Sequence, residues 1–390
     1  MKKYSLASRT WDEAELSAIQ EVIESDMFSM GEKVAQYERD FAEQFGSKYS
    51  VMVSSGSTAN LLMIAALFFT DKPLLKRGDE IIVPAVSWST TYFPLQQYGL
   101  KVKFVDIDRD TLNIDINQLE SAISEKTKAI LLVNLLGNPN DFEAIDEIIA
   151  GREILLLEDN CESMGASFHG KQAGTFGLIG TYSSFFSHHI ATMEGGCLVT
   201  DDEEIYHILL CIRAHGWTRN LPKFNKVTGE KSDCKFEEAF KFVLPGYNVR
   251  PLEMSGAIGI EQLKKLPFFI EQRRENAITF QNFFRDHPYI QIQREIGKSS
   301  WFGFSLVVRE RAPFTREKLV EYLENASIEC RPIVTGNFLK NTKVLEFFDY
   351  EVSGDMTNAE YIDANGLFVG NQQVDLSQQL QQLYDVIASL

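Results

Sequence analysis

From residue 49 to residue 200 the chain is a succession of short apolar runs of strand length: YSVMV, EIIVP, KVKFV, KAILLV, ILLLED, YSSFF and CLVT. Segments of helical length separate most of them. Strands that alternate with helices predict a mostly parallel sheet, because parallel neighbours need a crossover and the crossover is usually a helix. ILLLED, residues 154–159, is the strongest case. It has no polar face, as expected of a strand covered on both sides, and it ends in Glu158 and Asp159. α/β sheets bind ligands beyond the carboxyl ends of such strands, so Asp159 is the first candidate functional side chain.

From about residue 260 the rhythm changes. A long helical segment is followed by the strand WFGFSLVV, the helix REKLVEYLENA, the strand IECRPI and a closing helix with Leu380, Leu383 and Ile387 on one face. This predicts a smaller α+β domain. The expected division is an N-terminal helix or arm over 1–30, a large α/β domain over 31–250 and a small domain over 251–390. In the arm, Thr10-Trp11-Asp12-Glu13 reads as a capping box, and Leu16, Ile19 and Ile23 as the apolar face of a helix running to about Ser25. A second helix after Gly31 carries Tyr37, Phe41 and Phe45 at helical spacing, which marks them as core.

The net charge of -17 argues against nucleic acid as a partner, since non-specific binding needs clustered Lys and Arg. The longest apolar runs, such as LLMIAALFF, fall short of the roughly 18 residues of a membrane span. The start, MKKYSLASRTWDE, lacks the apolar centre of a signal peptide. Five cysteines, at 161, 197, 211, 234 and 330, are scattered without metal-type spacing. Reduced thiols in a cytoplasmic protein without a metal site or a membrane partner are the expectation.

Several further stretches carry polar groups to strand ends. Ser54 to Ser57 form a small-residue turn between a strand and a helix, and free N–H groups at such a helix start suit a phosphate. Trp88 follows the strand at 81–83 in a loop and offers a flat apolar face. Asn134 ends the run KAILLVN and is expected to face the same site. YSSFFS ends in Ser187, His188 and His189, followed by Glu194-Gly195-Gly196. CIRAHGWTRN reads as a helical stretch, residues 221–240 as a charged surface loop, and GYNVR places Asn248 and Arg250.

Taken in order, VSSGSTANL, the ILLLED block with Gly165, the E-G-G block and GYNVR resemble the sugar aminotransferases of the DegT/DnrJ/EryC1/StrS family. The family has the aspartate-aminotransferase fold, fold type I of the enzymes that use pyridoxal phosphate. The resemblance implies that Asp159 pairs with the pyridine nitrogen and that Trp88 stacks on the ring. It assigns Gly56, Ser57 and Thr58 to the phosphate loop, and Glu162 and Ser183 to the same cofactor site. Asn248 is implied to reach the phosphate of a neighbouring subunit's cofactor, which calls for a homodimer with shared active sites. His215 and Arg219 are implied contacts of donor or sugar, and Arg250 of the donor's carboxylate, which guanidinium binds in a two-pronged fashion.

One departure dominates. The family tethers its cofactor to a lysine six residues before E-G-G. Here that count from Glu194 lands on His188, and there is no lysine between Lys171 and Lys223. An imidazole cannot make the covalent tether, but it can carry a proton near neutrality. The resemblance therefore implies pyridoxal and pyridoxamine phosphate held without a covalent bond, with His188 as the catalytic proton carrier. The implied reaction is removal of the C3 hydroxyl of a 4-keto nucleotide sugar, with L-glutamate as amino donor and 2-oxoglutarate and ammonia as products. A GDP-sugar is the expected substrate on resemblance alone. A related histidine-bearing branch adds an iron–sulfur cluster on clustered cysteines, a pattern missing here. The alternatives are an ordinary nucleotide-sugar aminotransferase, which lacks its lysine, and a non-catalytic sensor of the same fold. A sensor has little reason to keep Asp159, the phosphate loop and Asn248 together.

Overall fold

The structure is a computed structural model describing residues 3–390; Met1 and Lys2, the start of the expected arm, lie outside the described residues. The strands are β1 (Tyr49–Val53), β2 (Glu80–Pro84), β3 (Lys101–Val105), β4 (Thr127–Val133), β5 (Leu155–Asp159), β6 (Ile179–Ser183), β7 (Gly196–Thr200), β8 (Ile290–Gln291), β9 (Gly303–Val308), β10 (Cys330–Arg331), β11 (Tyr350–Ser353) and β12 (Gly366–Gly370). The helices that matter below are α1 (Glu13–Ser25), α2 (Glu32–Phe45), α3 (Gly56–Ala66), α4 (Ser89–Gln97), α5 (Ile116–Ala122), α6 (Phe142–Ile149), α7 (Glu203–Ile212), α8 (Glu253–Phe284), α9 (Arg316–Asn325), α10 (Thr357–Asn365) and α11 (Ser377–Ala388).

Eight strands form the large sheet in the order β1-β7-β6-β5-β4-β2-β3-β11. Only β7 runs against its neighbours; the other pairings are parallel. Side chains alternate across the sheet. Ile81 and Val83 pack with α3, α4 and α7 on one face, while Ile82 packs with α5 and α6 on the other. Burial of both faces explains the unbroken apolar runs. The small domain is an antiparallel sheet, β8-β9-β12-β10, covered by α9, α11 and the last turns of α8.

Two expectations need correction. A boundary at residue 251 does not separate the sheets, because β11 returns to the large sheet and pairs with the edge of β3. Phe338, Leu345 and Ile362 are buried in the large-domain core with it. An open parallel edge is a template for one more strand, and this stretch fills it. In α1 the cap is Asp12, with Glu15 closing the box, rather than Thr10. Leu16 and Ile23 are exposed, and the helix instead buries Ala18, Val22 and Glu15. Glu15 is tied to Lys265 (2.7 Å) and Gln262 (2.7 Å) of α8, so a polar contact sets which face turns inward.

α8 spans both domains. Near its start it lies against α2, where Gly256 and Gly259 permit close approach: a Cβ on either would sit 2.6 Å from Val34 N or from the Tyr37 ring. Farther along, it reaches the seam between domains. There Ser300 N donates to Gly137 O (2.9 Å) and Phe302 N to Leu136 O (3.1 Å), and Ile296 N donates to Asn138 Oδ1 (2.8 Å). Leu136 and Trp301 both take left-handed backbone here, φ 53° and 49°.

Candidate active site

The two carboxylates that end β5 point to opposite faces and have different fates. Glu158 is fully buried and accepts from Gly174 N (2.6 Å), Phe176 N (2.6 Å), Gly177 N (2.8 Å) and Asn134 Nδ2 (3.1 Å). It anchors a turn, and its burial raises its pKa. Asn134 is spent on the same network, bonding Asn160 Oδ1 (3.0 Å) and accepting from Asn140 Nδ2 (2.8 Å). It is a brace beneath the site, not a group facing it as expected from sequence.

Asp159, 4% exposed, sits at the sheet's carboxyl end. Its Oδ2 accepts from Asn60 Nδ2 (2.7 Å) of α3 and Thr91 Oγ1 (2.8 Å) of α4, and its Oδ1 from Cys161 N (3.1 Å). Both donors are themselves aimed: Thr181 Oγ1 donates to Asn60 Oδ1 (2.6 Å), and Ser87 Oγ pairs with Thr91 Oγ1 (2.8 Å). The carboxylate is thus held as an oriented anion. A cationic ring nitrogen is the partner such a group suits.

The turn before α3 lies beside it. Ser55 caps the helix in a reciprocal box with Thr58. Thr58 spends its backbone N–H on Ser55 Oγ (3.1 Å), and its hydroxyl donates to Ser55 O (2.9 Å), so it shapes the turn from behind. The N–H groups of Gly56 and Ser57 lead the helix, and Ser57 Oγ reaches Thr90 Oγ1 (3.0 Å) at the start of α4. A Cβ on Gly56 would meet Ser183 Cβ at 2.7 Å, so glycine lets the turn press against the end of β6. Trp88 precedes α4 and is 56% exposed, a large ring with an unpacked face.

His188 lies in the loop between β6 and β7. Its N–H donates to Phe185 O (2.9 Å), and its ring meets the Phe302 ring edge-on at 5.2 Å. The imidazole is half-buried, and its Nδ1 is sealed without a partner. Burial, with the Arg273 cation adding to it, pushes its pKa down to about 4. His189 is wholly buried, with Nε2 on Ser300 O (3.2 Å), and belongs to the packing. Glu162 accepts from Leu136 N (3.1 Å); burial, aided by the Asp159 charge, pushes its carboxyl up to about 7.

The remaining candidates form a second group. After α7 the chain turns at His215 (φ 62°), not as a continuing helix. The His215 ring meets Trp217 at 4.9 Å, and the guanidinium groups of Arg219 and Arg250 lie over that indole at 5.4 and 5.9 Å. Arg250 Nε donates to Asn248 Oδ1 (3.0 Å). Ser54 N donates to Val249 O (2.9 Å), so this patch flanks the turn before α3. Among the described residues of one subunit, no hydrogen bond joins it to Asp159 or His188.

The model of the DegT/DnrJ/EryC1/StrS aminotransferase family matches residues 9–382. The chain belongs to this family. Among relatives, it is 73% identical over 387 residues to the GDP-4-keto-6-deoxy-D-mannose 3-dehydratase of Yersinia pseudotuberculosis, covering 99% of this chain and 98% of that protein. Among solved structures, it is 71% identical to the E. coli GDP-4-keto-6-deoxy-D-mannose-3-dehydratase with bound hydrated PLP, with a TM-score of 0.98 and coverage of 99% and 100%. A GDP-4-keto-6-deoxymannose-3-dehydratase with a trapped PLP–glutamate geminal diamine is equally similar, at 71% identity, TM-score 0.98 and coverage of 98% and 100%.

The site fits the family's cofactor on its own chemistry: an oriented anion, two leading N–H groups in a turn too tight for a side chain, and an unpacked aromatic ring. The family signature did not disclose Asn60, Thr91, Phe302 or Arg273. Thr91 and Asn60 carry a faint signal, as polar residues facing inward on helices that leave the site. Phe302 and Arg273 carry none, because they arrive from the far side of the domain seam.

Proposed function

We propose that the chain is a pyridoxal-phosphate-dependent 3-dehydratase that acts on GDP-4-keto-6-deoxy-D-mannose, with L-glutamate as amino donor. The observation that carries this reading is His188: a histidine stands at the family's lysine position, while Asp159, the turn before α3 and Trp88 stay intact. When bound, the cofactor would supply an electron sink for chemistry beside an amino-bearing carbon. Asp159 would hold its ring nitrogen, Trp88 would cover its ring, and Gly56, Ser57 and Ser183 would receive its phosphate. Glu162 stands beside it as a carboxyl able to carry a proton near neutrality. Asn248 serves the cofactor of the neighbouring subunit, and His215, Arg219 and Arg250 meet donor and sugar.

With no lysine to tether the cofactor or expel an amino product, the amino group leaves as ammonia. His188 is neutral at pH 7, so it can accept a proton and return it to the departing C3 oxygen. The electrons balance. Replacing the C3 hydroxyl by hydrogen while keeping the C4 ketone is a two-electron reduction, and oxidation of glutamate to 2-oxoglutarate and ammonia supplies both. The unpaired cysteines suit a cytoplasmic enzyme. Among the described residues, no helix is long and apolar enough to cross a membrane.

The test is a product assay with PLP, glutamate and GDP-4-keto-6-deoxymannose. A 3-deoxy-4-keto sugar with equimolar ammonia is expected, and its loss in His188→Asn. An amino sugar would reassign the chain to the aminotransferases. PLP binding without a glutamate-dependent spectral change would favour a sensor.

A further inference from the structure

Arg273, on α8, is 3% exposed and makes no ion pair among the described residues. Its Nη1 donates to Asn371 O (2.7 Å), Phe302 O (3.1 Å) and Trp301 O (3.4 Å). Asn371 Nδ2 donates to Arg273 O (3.0 Å) and Trp301 O (2.9 Å), which locks the arrangement from the other side. Arg274 continues the grip, with Nε on Ser299 O (3.0 Å). Three residues are held this way, Ser299, Trp301 and Phe302, and the histidines rest on the same stretch: Ser300 O meets His189, and the Phe302 ring meets His188. A buried cation usually has an anion beside it; this one has only carbonyl oxygens on Nη1 and a buried Nε with no partner, so no opposite charge neutralises it.

We propose that Arg273 is a positioning residue for His188, fixing the Trp301–Phe302 backbone under the imidazole and keeping an unneutralised positive charge beneath it. The proposal rests on the reading of His188 as the proton carrier. A nearby like charge disfavours the imidazolium, so the base is kept neutral. The other groups that face this pocket do not undo the effect. His189 is buried and neutral, and the Arg274 charge bears on His189. Across the site, Asp159 is held by Asn60 and Thr91 and Glu162 by Leu136 N, and of the surrounding charges it is Arg273 that acts on the imidazole. Charge and clamp are thus one side chain, which explains why a structural arginine is placed where a neutral donor would otherwise suffice.

The experiment separates the two roles and does not depend on turnover. The chain has six histidines, few enough to follow His188 by NMR in the full-length protein labelled at histidine Cε1, with and without PLP. Arg273→Met, which removes the charge, should raise the His188 titration midpoint by roughly one pH unit or more. Arg273→Lys should keep the midpoint while lowering kcat with little change in KM. The acidic limb of the pH–rate profile should follow the NMR midpoint in both. A folded Arg273→Met protein with an unmoved midpoint overturns the proposal. So does a wild-type midpoint at the ordinary histidine value, a result that needs no variant to fold. A midpoint that moves while the acidic limb stays still would leave the positioning effect in place and count against His188 as the proton carrier.

Discussion

Gly137→Ala tests whether the domain seam governs the chemistry. Gly137 has φ 94°, and a Cβ there would lie 2.4 Å from Trp301 N and 2.7 Å from Phe302 N. Non-bonded heavy atoms settle at about 3.5 Å, so the two loops must part by roughly 1 Å. The bonds Ser300 N to Gly137 O and Phe302 N to Leu136 O, now 2.9 and 3.1 Å, would then be broken. Each is worth about 1 kcal/mol net, and the left-handed backbone adds roughly 1–2 kcal/mol, for a loss of about 3–4 kcal/mol. Gly46→Ala is the control, because that glycine also has positive φ (69°) but nothing within 4 Å of its Cβ position. It should cost only the roughly 1–2 kcal/mol of backbone strain. Urea midpoints give the stabilities. Turnover should separate the pair further, since about 1 Å of misplacement at a catalytic group can cost on the order of 10²-fold. The reasoning is refuted if Gly137→Ala is no less stable than Gly46→Ala, or if it loses stability and keeps its kcat.

Trp88→Ala should leave the melting temperature almost unchanged, because the ring is 56% exposed, yet raise the PLP Kd roughly two- to tenfold, the worth of about 0.5–1.5 kcal/mol of ring contact. Arg213 is buried against Glu38 and Met52 O; Arg213→Met strands the carboxylate and should cost about 3–5 kcal/mol, read from urea unfolding. The His188 imidazole titrates near 6.5 when unfolded and near 4 when folded. The unfolded chain therefore binds the proton first, and the stability tied to the neutral ring is full above 6.5 and lost as pH falls toward 4. Glu162, held up at about 7, works in the opposite direction over part of that window. The difference between wild type and His188→Asn across this pH range isolates the histidine, and a flat difference would contradict the assignment. If Asn248 serves the neighbouring subunit, mixing His188→Asn with Asn248→Ala subunits should restore part of the activity each lacks; no recovery would place Asn248 in its own subunit's site.

The parallel core, the strand that delivers Asp159, the capped turn before α3 and the histidine at 188 in place of the family's lysine were all legible in the sequence. Each is a local pattern: burial on both faces writes itself as an unbroken apolar run, and a helix start as small capping residues. What the sequence could not fix is whatever depends on two distant segments meeting. Leu16 and Ile23 look like a core face, yet a polar contact between Glu15 and α8 turns them outward. Asn134 looks like a site residue until Glu158 and Asn160 claim its amide. β11 belongs to the large sheet because the edge of β3 lies open to it. The acidity of His188 is the clearest case. The residue is read from its place in the chain, but its protonation state is set first by burial, in which the Phe302 ring takes part, and then by the Arg273 charge, both more than eighty residues away in sequence and brought to it by the docking of two domains. Electrostatic fields act through space, and only the tertiary structure decides which charges are near.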